Sequence, residues 1–382
     1  MLSMPCVDEK VIGGIDTHKD LHFAAVVDVT GEVLGQRAFA TTRQGYRALL
    51  KWMASFGRVA KVGVEQTGSY GAGIVRHLAL AGIPVLEVTG PDKADRRARG
   101  KNDMIDAAAA ARAALQGKRI SVAKHRDGRI EALRVLRTTR QTAVKARRAA
   151  LQQLRNTIVA APDPVRDQLR RRSRMQLIRG LAASRPDTIA FRDPEAATRI
   201  ALRSLARRII ELGDEIAELD ELIAPLVEEL APRMLERVGF GIHNTGQLLV
   251  TAGDNPDRLS SEAAWAMLCG SAPLPASSGK TTRHRLNRGG DRAANSALHM
   301  AAICRLRLDP RTQDYAARRK TDGLSKRETI RCLKRYLARE AYHLLTAPND
   351  PAPGDRPASP ALQRTALASS PARAANGRAR SA

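Results

Sequence analysis

The sequence predicts an α/β domain at its N-terminal end and a largely all-α remainder. Three observations predict it. Between about residues 11 and 117, short β-branched runs alternate with helical periodicity. Between about 127 and 230 no strand signal occurs, and Leu, Ala, Arg and Glu dominate. From about 231 to 346 the pattern is helical and loop-rich.

The elements follow in order. Residues 11–16, 22–28 and 33–40 read as short strands, and Thr30-Gly31 marks a turn, so they form an antiparallel meander. Tyr46, Leu49, Leu50 and Met53 give 44–56 a helical period. A strand at 59–65, a helix at 73–81 and a strand at 84–88 come next. An alanine-rich helix at 104–115 stops at Gly117. In 130–158, Leu133, Leu136, Val144, Leu151, Leu154 and Ile158 recur at helical spacing. In 197–230, Leu202, Leu205, Ile209, Leu212, Ile216, Leu219, Leu222 and Ile223 form a coiled-coil seam. These stripes are buried by folding back on each other or by pairing with another chain. Pro162, Pro164 and Pro186 break the region between them.

In the third segment, Val238-Gly239-Phe240-Gly241 turns into a helix at 245–252. A glycine turn of this kind can hold a phosphate on backbone N–H groups. A helix at 261–269 follows, with Ser260 as its cap. A basic, glycine- and serine-rich loop spans 270–292, and helices cover 293–306 and 326–345. The tail from 347 is rich in Pro, Ala, Arg and Ser and is expected to be disordered. The expected domains are 1–125, 126–232 and 233–346, with the tail at 347–382.

The 382 residues hold 64 Lys+Arg against 39 Asp+Glu, a net charge of +25. Such a surplus implies a polyanionic partner, and nucleic acid is favoured over a membrane surface. No apolar run approaches the roughly 20 residues that span a bilayer, and no signal-peptide core is visible. Cys6, Cys269, Cys304 and Cys332 form no CxxC pair, which argues against a structural zinc site and fits a reducing cytoplasm. Aromatics are 3% of residues, so base stacking is not the main binding device.

Four carboxylates carry the chemistry. Asp16 ends a first strand, Glu65 ends a later one, and Asp103 and Asp106 lie on one face of a helix's first turn. Single acids at such places are ordinary surface groups or helix-start acids favoured by the macrodipole. Four in this order match the ribonuclease-H-like arrangement. Like charges so close need a cation or protons between them. Mg²⁺ prefers carboxylate oxygens, keeps water and suits phosphoryl transfer. His18 and Lys19 follow Asp16 and either approach the scissile phosphate or are exposed turn residues. Tyr70, after Glu65, reads as a packing residue. Ser278 sits beside Gly279 among Lys280, Arg283, Arg285 and Arg288, a hydroxyl in a positive field. By itself this is a flexible or phosphate-contacting loop, because serine is a weak nucleophile until activated. The basic stretches, Lys101 included, are too widely spread for one solvated face, and several should contact phosphates.

At these residues the chain resembles the IS-one-ten family of insertion-sequence transposases, the DEDD transposases. The resemblance rests on Gly14-Ile15-Asp16-Thr17-His18-Lys19, Glu65-Gln66-Thr67-Gly68-Ser69-Tyr70 and Lys101-Asn102-Asp103-Met104-Ile105-Asp106-Ala107. It continues in Gly239-Phe240-Gly241, in residues 268–273, in Ser278-Gly279-Lys280 and in Arg288-Gly289-Gly290, covering about 11–346. The resemblance implies a RuvC-like domain, a coiled coil and a mostly helical transposase domain bearing a nucleophilic serine. Asp16, Glu65, Asp103 and Asp106 would then be the Mg²⁺-binding tetrad. Ser278, picked from the Ser277-Ser278 pair by its glycine neighbour, would form a transient phosphoserine link. The partners it implies are donor and target DNA and a structured noncoding guide RNA, the bridge RNA. It also implies a dimer or tetramer whose active sites form between protomers, with the coiled coil as physical basis, at a bacterial nucleoid. Asn102 replaces the usual Thr, Gly90-Pro91 a usual Asn-Pro, and Ile242-His243 a small-apolar pair. Two other classes stay open: a RuvC-like nuclease using metal-activated water, and a non-catalytic nucleic-acid-binding relative.

Overall fold

A six-stranded mixed sheet carries the N-terminal region, its strands lying side by side in the order 33–40, 21–27, 10–17, 58–65, 85–88 and 120–122. The computed structural model describes residues 9–88, 102–117, 120–124, 126, 128–170, 172–255, 258–277, 279 and 284–347. The meander β1 (Lys10–Thr17), β2 (Leu21–Val27) and β3 (Val33–Ala40) is antiparallel, as expected. β4 (Arg58–Glu65) and β5 (Val85–Val88) run parallel to β1, and β6 (Ile120–Val122) closes the edge antiparallel to β5. This mixed α/β arrangement is consistent with a ribonuclease-H-like fold.

Strand alternation divides the sheet's side chains between two layers. Val11, Ile15, Val62 and Val64 share a core with Leu49 and Met53 of α1 (Arg43–Ala54) and with Ile74, Val75 and Leu78 of α2 (Ala72–Leu80). The opposite face takes α3 (Asp103–Gln116), whose Ala107, Ala108, Ala111 and Ala114 pack on Ile12, Ala25 and Val27. Register pairs Gly14 of β1 with Gly63 of β4. A Cβ on Gly14 would lie 2.1 Å from the Ala107 carbonyl oxygen, and one on Gly63 2.4 Å from that of Ala110. The alanine run is therefore half of a backbone-close contact whose other half is two glycines. Asn102 caps α3 by accepting from Met104 N–H at 2.9 Å, and Gly117 ends it with φ 70.

Two long helices follow, α4 (Arg129–Val159) and α7 (Pro194–Leu230). They fold back antiparallel within one chain, with Arg129 paired to Glu229 and Arg140 to Asp220. Their apolar stripes are largely used inside the chain. Leu154, Leu202 and Ile209 form a core with the intervening α5 (Asp163–Leu169) and α6 (Arg174–Ala183). Leu133, Ile223 and Val227 join the C-terminal core. Pro164, one of the prolines expected to break the region between the long helices, lies in the first turn of α5, where its missing N–H costs nothing.

The C-terminal region comprises α8 (Pro232–Leu235), α9 (Ile242–Ala252), α10 (Glu262–Leu268), α11 (Arg292–Leu308), α12 (Pro310–Thr321) and α13 (Lys326–Thr346). They enclose Phe240, Trp265, Leu298 and Leu337. Ser261, one residue beyond the expected Ser260, caps α10 by accepting from Ala264 N–H. The expected loop at 270–292 contains a small hairpin, β7 (Leu274–Pro275) with β8 (His284–Arg285). The segment after β6 ties the sheet to this region. Lys124 Nζ donates to Val250 O at 2.6 Å, and Asn255 Nδ2 to Ala123 O at 2.9 Å. Among the described residues no helix is long and apolar enough to cross a membrane. Cys6 and the expected disordered tail, apart from Ala347, lie outside the described residues.

Candidate active site

The carboxylates gather on the α3 face because of strand parity. Gly14 and Gly63 seat the helix, so Asp16 and Glu65, two residues further along parallel neighbours, face the same layer. Both are buried. The buried Thr17 hydroxyl donates to Glu65 O at 3.0 Å and fixes the two strand ends against each other. Directly after Glu65, Gln66 adopts φ 50, a left-handed conformation that is uncommon for a non-glycine residue. It bends the chain away at the strand's end, and Ser69 N–H donates to its carbonyl at 3.1 Å. Arg126 holds the same turn by donating to Gly68 O at 3.2 Å.

The first turn of α3 supplies Asp103, partly exposed, and Asp106, buried. The α3 N-terminus directs its dipole at this corner, which favours negative charge there. His18 bridges two of the acids: Nδ1 lies 3.8 Å from Asp16 Oδ2, and Nε2 lies 3.6 Å from Asp103 Oδ1. Its ring meets the edge of Phe23 at 5.5 Å. The ligand atoms of Asp16, His18 and Asp103 all lie within 4.8 Å of one another, a set of two carboxylate oxygens and one imidazole nitrogen that fits a divalent cation. Glu65 and Asp106 flank this group without joining it at that distance. Glu87, the other acid on these strands, is not part of the site. It pairs in register with Val64, on the face away from α3, and accepts from Thr67 Oγ1 at 2.7 Å.

Two family models match the chain. The DEDD transposase model for IS110 elements matches residues 13–161, and the model described as the transposase IS116/IS110/IS902 family matches residues 232–317. No individual curated protein matches.

The chain belongs to the IS110 family of transposases.

An IS110 transposase is a DNA-cleaving and recombining enzyme of an insertion sequence, and its DEDD class implies use of a divalent metal. The first match spans all four carboxylates and the whole of α4; the second spans position 278 and both strands of the β7–β8 hairpin. His18, expected either at the scissile phosphate or exposed, lies between two carboxylates with its side chain 40% exposed. Lys19 is exposed. Tyr70, expected to pack, is 52% exposed and offers its ring to solvent. Arg285 and Arg288 are exposed on and after β8. Ser278, Lys101, Lys280 and Arg283 lie outside the described residues. Sequence reading missed Gln66 and Arg126. A positive φ at glutamine and a reach of 58 residues to Gly68 leave no local pattern.

Proposed function

We propose that this transposase excises and inserts its element by a Mg²⁺-dependent serine mechanism directed by a structured noncoding RNA. The convergence of Asp16, His18 and Asp103, with buried Glu65 and Asp106 beside them, carries the reading. Asp16, Glu65, Asp103 and Asp106 would hold Mg²⁺, and His18 would keep Asp16 and Asp103 in place. A bound divalent ion would supply charge stabilisation at the reacting phosphate.

Ser278 is the proposed nucleophile. Its oxygen bonds to phosphorus, its proton passes to a neighbouring acceptor, and the bond to one DNA hydroxyl breaks. The phosphoserine diester conserves the bond energy, so a hydroxyl from another strand can displace the serine without ATP. Arg285 and Arg288, with Lys19, Lys101, Lys280 and Arg283, would hold the strand through its phosphates. The domain division at 125, 232 and 346 belongs to the same reading. Asp16 and Glu65 stand on the sheet and Asp103 and Asp106 on α3, whereas the β7–β8 hairpin grows from the C-terminal helical region. These separate scaffolds support a site completed by a second copy. Because the α4–α7 stripes are mostly covered within the chain, a coiled-coil contact between copies would use what stays exposed, such as Leu222.

Trapping of a covalent adduct tests this. The protein is incubated with Mg²⁺, RNA from the element's flanks and labelled donor and target DNA, then denatured. An adduct in wild type, absent from Ser278→Ala and Asp16→Asn, is expected. Cutting that survives Ser278→Ala without an adduct would replace the serine by metal-activated water.

A further inference from the structure

At the foot of the β7–β8 hairpin lies a cleft of about 710 Å³, walled by residues 270–273 and 284–287 and by the facing sides of α12 and α13. Lys334 of α13 reaches into it. This side chain is unusual for a lysine, since the residue is only 6% exposed. Its ammonium carries three N–H donors. One goes to Asn295 Oδ1 at 2.8 Å. Asn295 has no freedom to offer more, because its Nδ2 donates to Cys269 O and Gly270 O at 3.0 and 2.7 Å. No other acceptor for Lys334 is found among the described residues.

A buried cation needs an anion or a full set of acceptors, or desolvation makes it costly. The charges around Lys334 go the other way. Arg331 and Arg285 line the same cleft. Burial first, and then the Arg331 charge, lower the Lys334 pKa from its ordinary value. Glu328 also lines the cleft, but it accepts from the Ser325 backbone N–H at 2.9 Å and hydroxyl at 2.6 Å and lies 3.6 Å from Arg331. On the rim, Tyr336 is 54% exposed and meets Tyr315 edge-on at 5.6 Å, which leaves an aromatic surface free for a base.

We propose that this cleft seats one phosphodiester of a nucleic-acid strand, with Lys334 and Arg331 on the phosphate oxygens and Tyr336 against an adjoining base. Lys334 is then a binding residue for the strand that passes the hairpin. A phosphodiester supplies the single negative charge and the acceptors the ammonium lacks, and Arg285 on β8 adds a further cation to the cleft wall. The proposal rests on the chain handling nucleic acid and not on which group is the nucleophile.

The test is a salt titration of binding by the full chain, with labelled single-stranded DNA, duplex DNA and RNA oligonucleotides as separate arms. Lys334→Met keeps the length of the buried side chain and removes its charge. It should weaken at least one arm about tenfold and make the log Kd–log salt slope shallower by about one phosphate's worth. Arg331→Gln should shift the slope the same way. The arm that responds identifies the strand as DNA or RNA. A folded Lys334→Met with unchanged affinity and slope in all three arms overturns the proposal. If Lys334→Met does not fold, unchanged affinity and slope for Arg331→Gln in all three arms overturns it.

Discussion

Gly14→Ala tests how the sheet and α3 build the site together. The added Cβ would stand 2.1 Å from Ala107 O and 2.3 Å from Ala111 N, both backbone atoms that no rotamer change can move. Reaching an ordinary contact of 3.4 Å requires α3 to retreat by about 1.3 Å. Overpacking of this kind costs about 1–3 kcal/mol. The position of α3 also sets Asp103 and Asp106 relative to Asp16, only two residues past Gly14. Misplacing reacting groups by about 1 Å can cost on the order of 10²-fold in rate. Gly14→Ala should therefore lower thermal stability and reduce metal-dependent DNA cleavage about a hundredfold at a temperature where the variant remains folded. Circular dichroism melts and a cleavage time course read the two effects separately. A variant as stable and as active as wild type would refute the close-contact account of how the acids are placed.

Other outcomes follow from the same geometry. Asp106→Asn should cut cleavage about a hundredfold or more yet raise the melting temperature of the metal-free protein, since it removes one of several crowded negative charges; an equal loss of stability and activity would contradict this. His22 is fully buried and stacks on Tyr46 at 5.6 Å, and burial, outweighing a backbone hydrogen bond at Leu21, lowers its pKa from 6.5 to about 4. The unfolded chain takes up this proton near pH 6.5 and the folded chain only near 4. Stability should thus fall as pH drops through that window, by up to about 3 kcal/mol, and denaturant melts of His22→Phe should lose that dependence. Burial likewise lowers Lys124 to about 8 from 10.5. The wild type should gain stability as pH rises from about 8 to 10.5, a gain that the same melts on Lys124→Met should lack.

Much of the site was legible in the sequence because its signals are local. Asp16 and Glu65 end runs with clear strand character, and Asp103 and Asp106 open an alanine run closed by Gly117. The meander, the two long helices and most C-terminal helices followed from periodicity. What escaped depends on distant partners. β6 has three residues and exists because β5 offers it an edge. The β7–β8 hairpin has two residues on each side and no alternating pattern to announce it. His18 could be placed beside Asp16 from the sequence, but its contact with Asp103 needed α3 to fold across β1. The helical stripes suggested burial without choosing a partner, and the antiparallel ion pairs Arg129–Glu229 and Arg140–Asp220 supply the choice. Lys334 gave no signal at all, since nothing in a basic amphipathic helix marks which lysine points inward.

The central claim is that the ends of β1 and β4 and the start of α3 enclose one divalent metal. Mapping by Fe²⁺ tests it most directly: the ion takes the place of Mg²⁺, and hydroxyl radicals generated with ascorbate and peroxide cut the backbone around it. The account predicts cuts near residues 16–18, 65–67 and 102–106, suppressed by excess Mg²⁺ and absent from Asp16→Asn. Cuts elsewhere, or cuts at these places that neither Mg²⁺ nor the substitution diminishes, would contradict it.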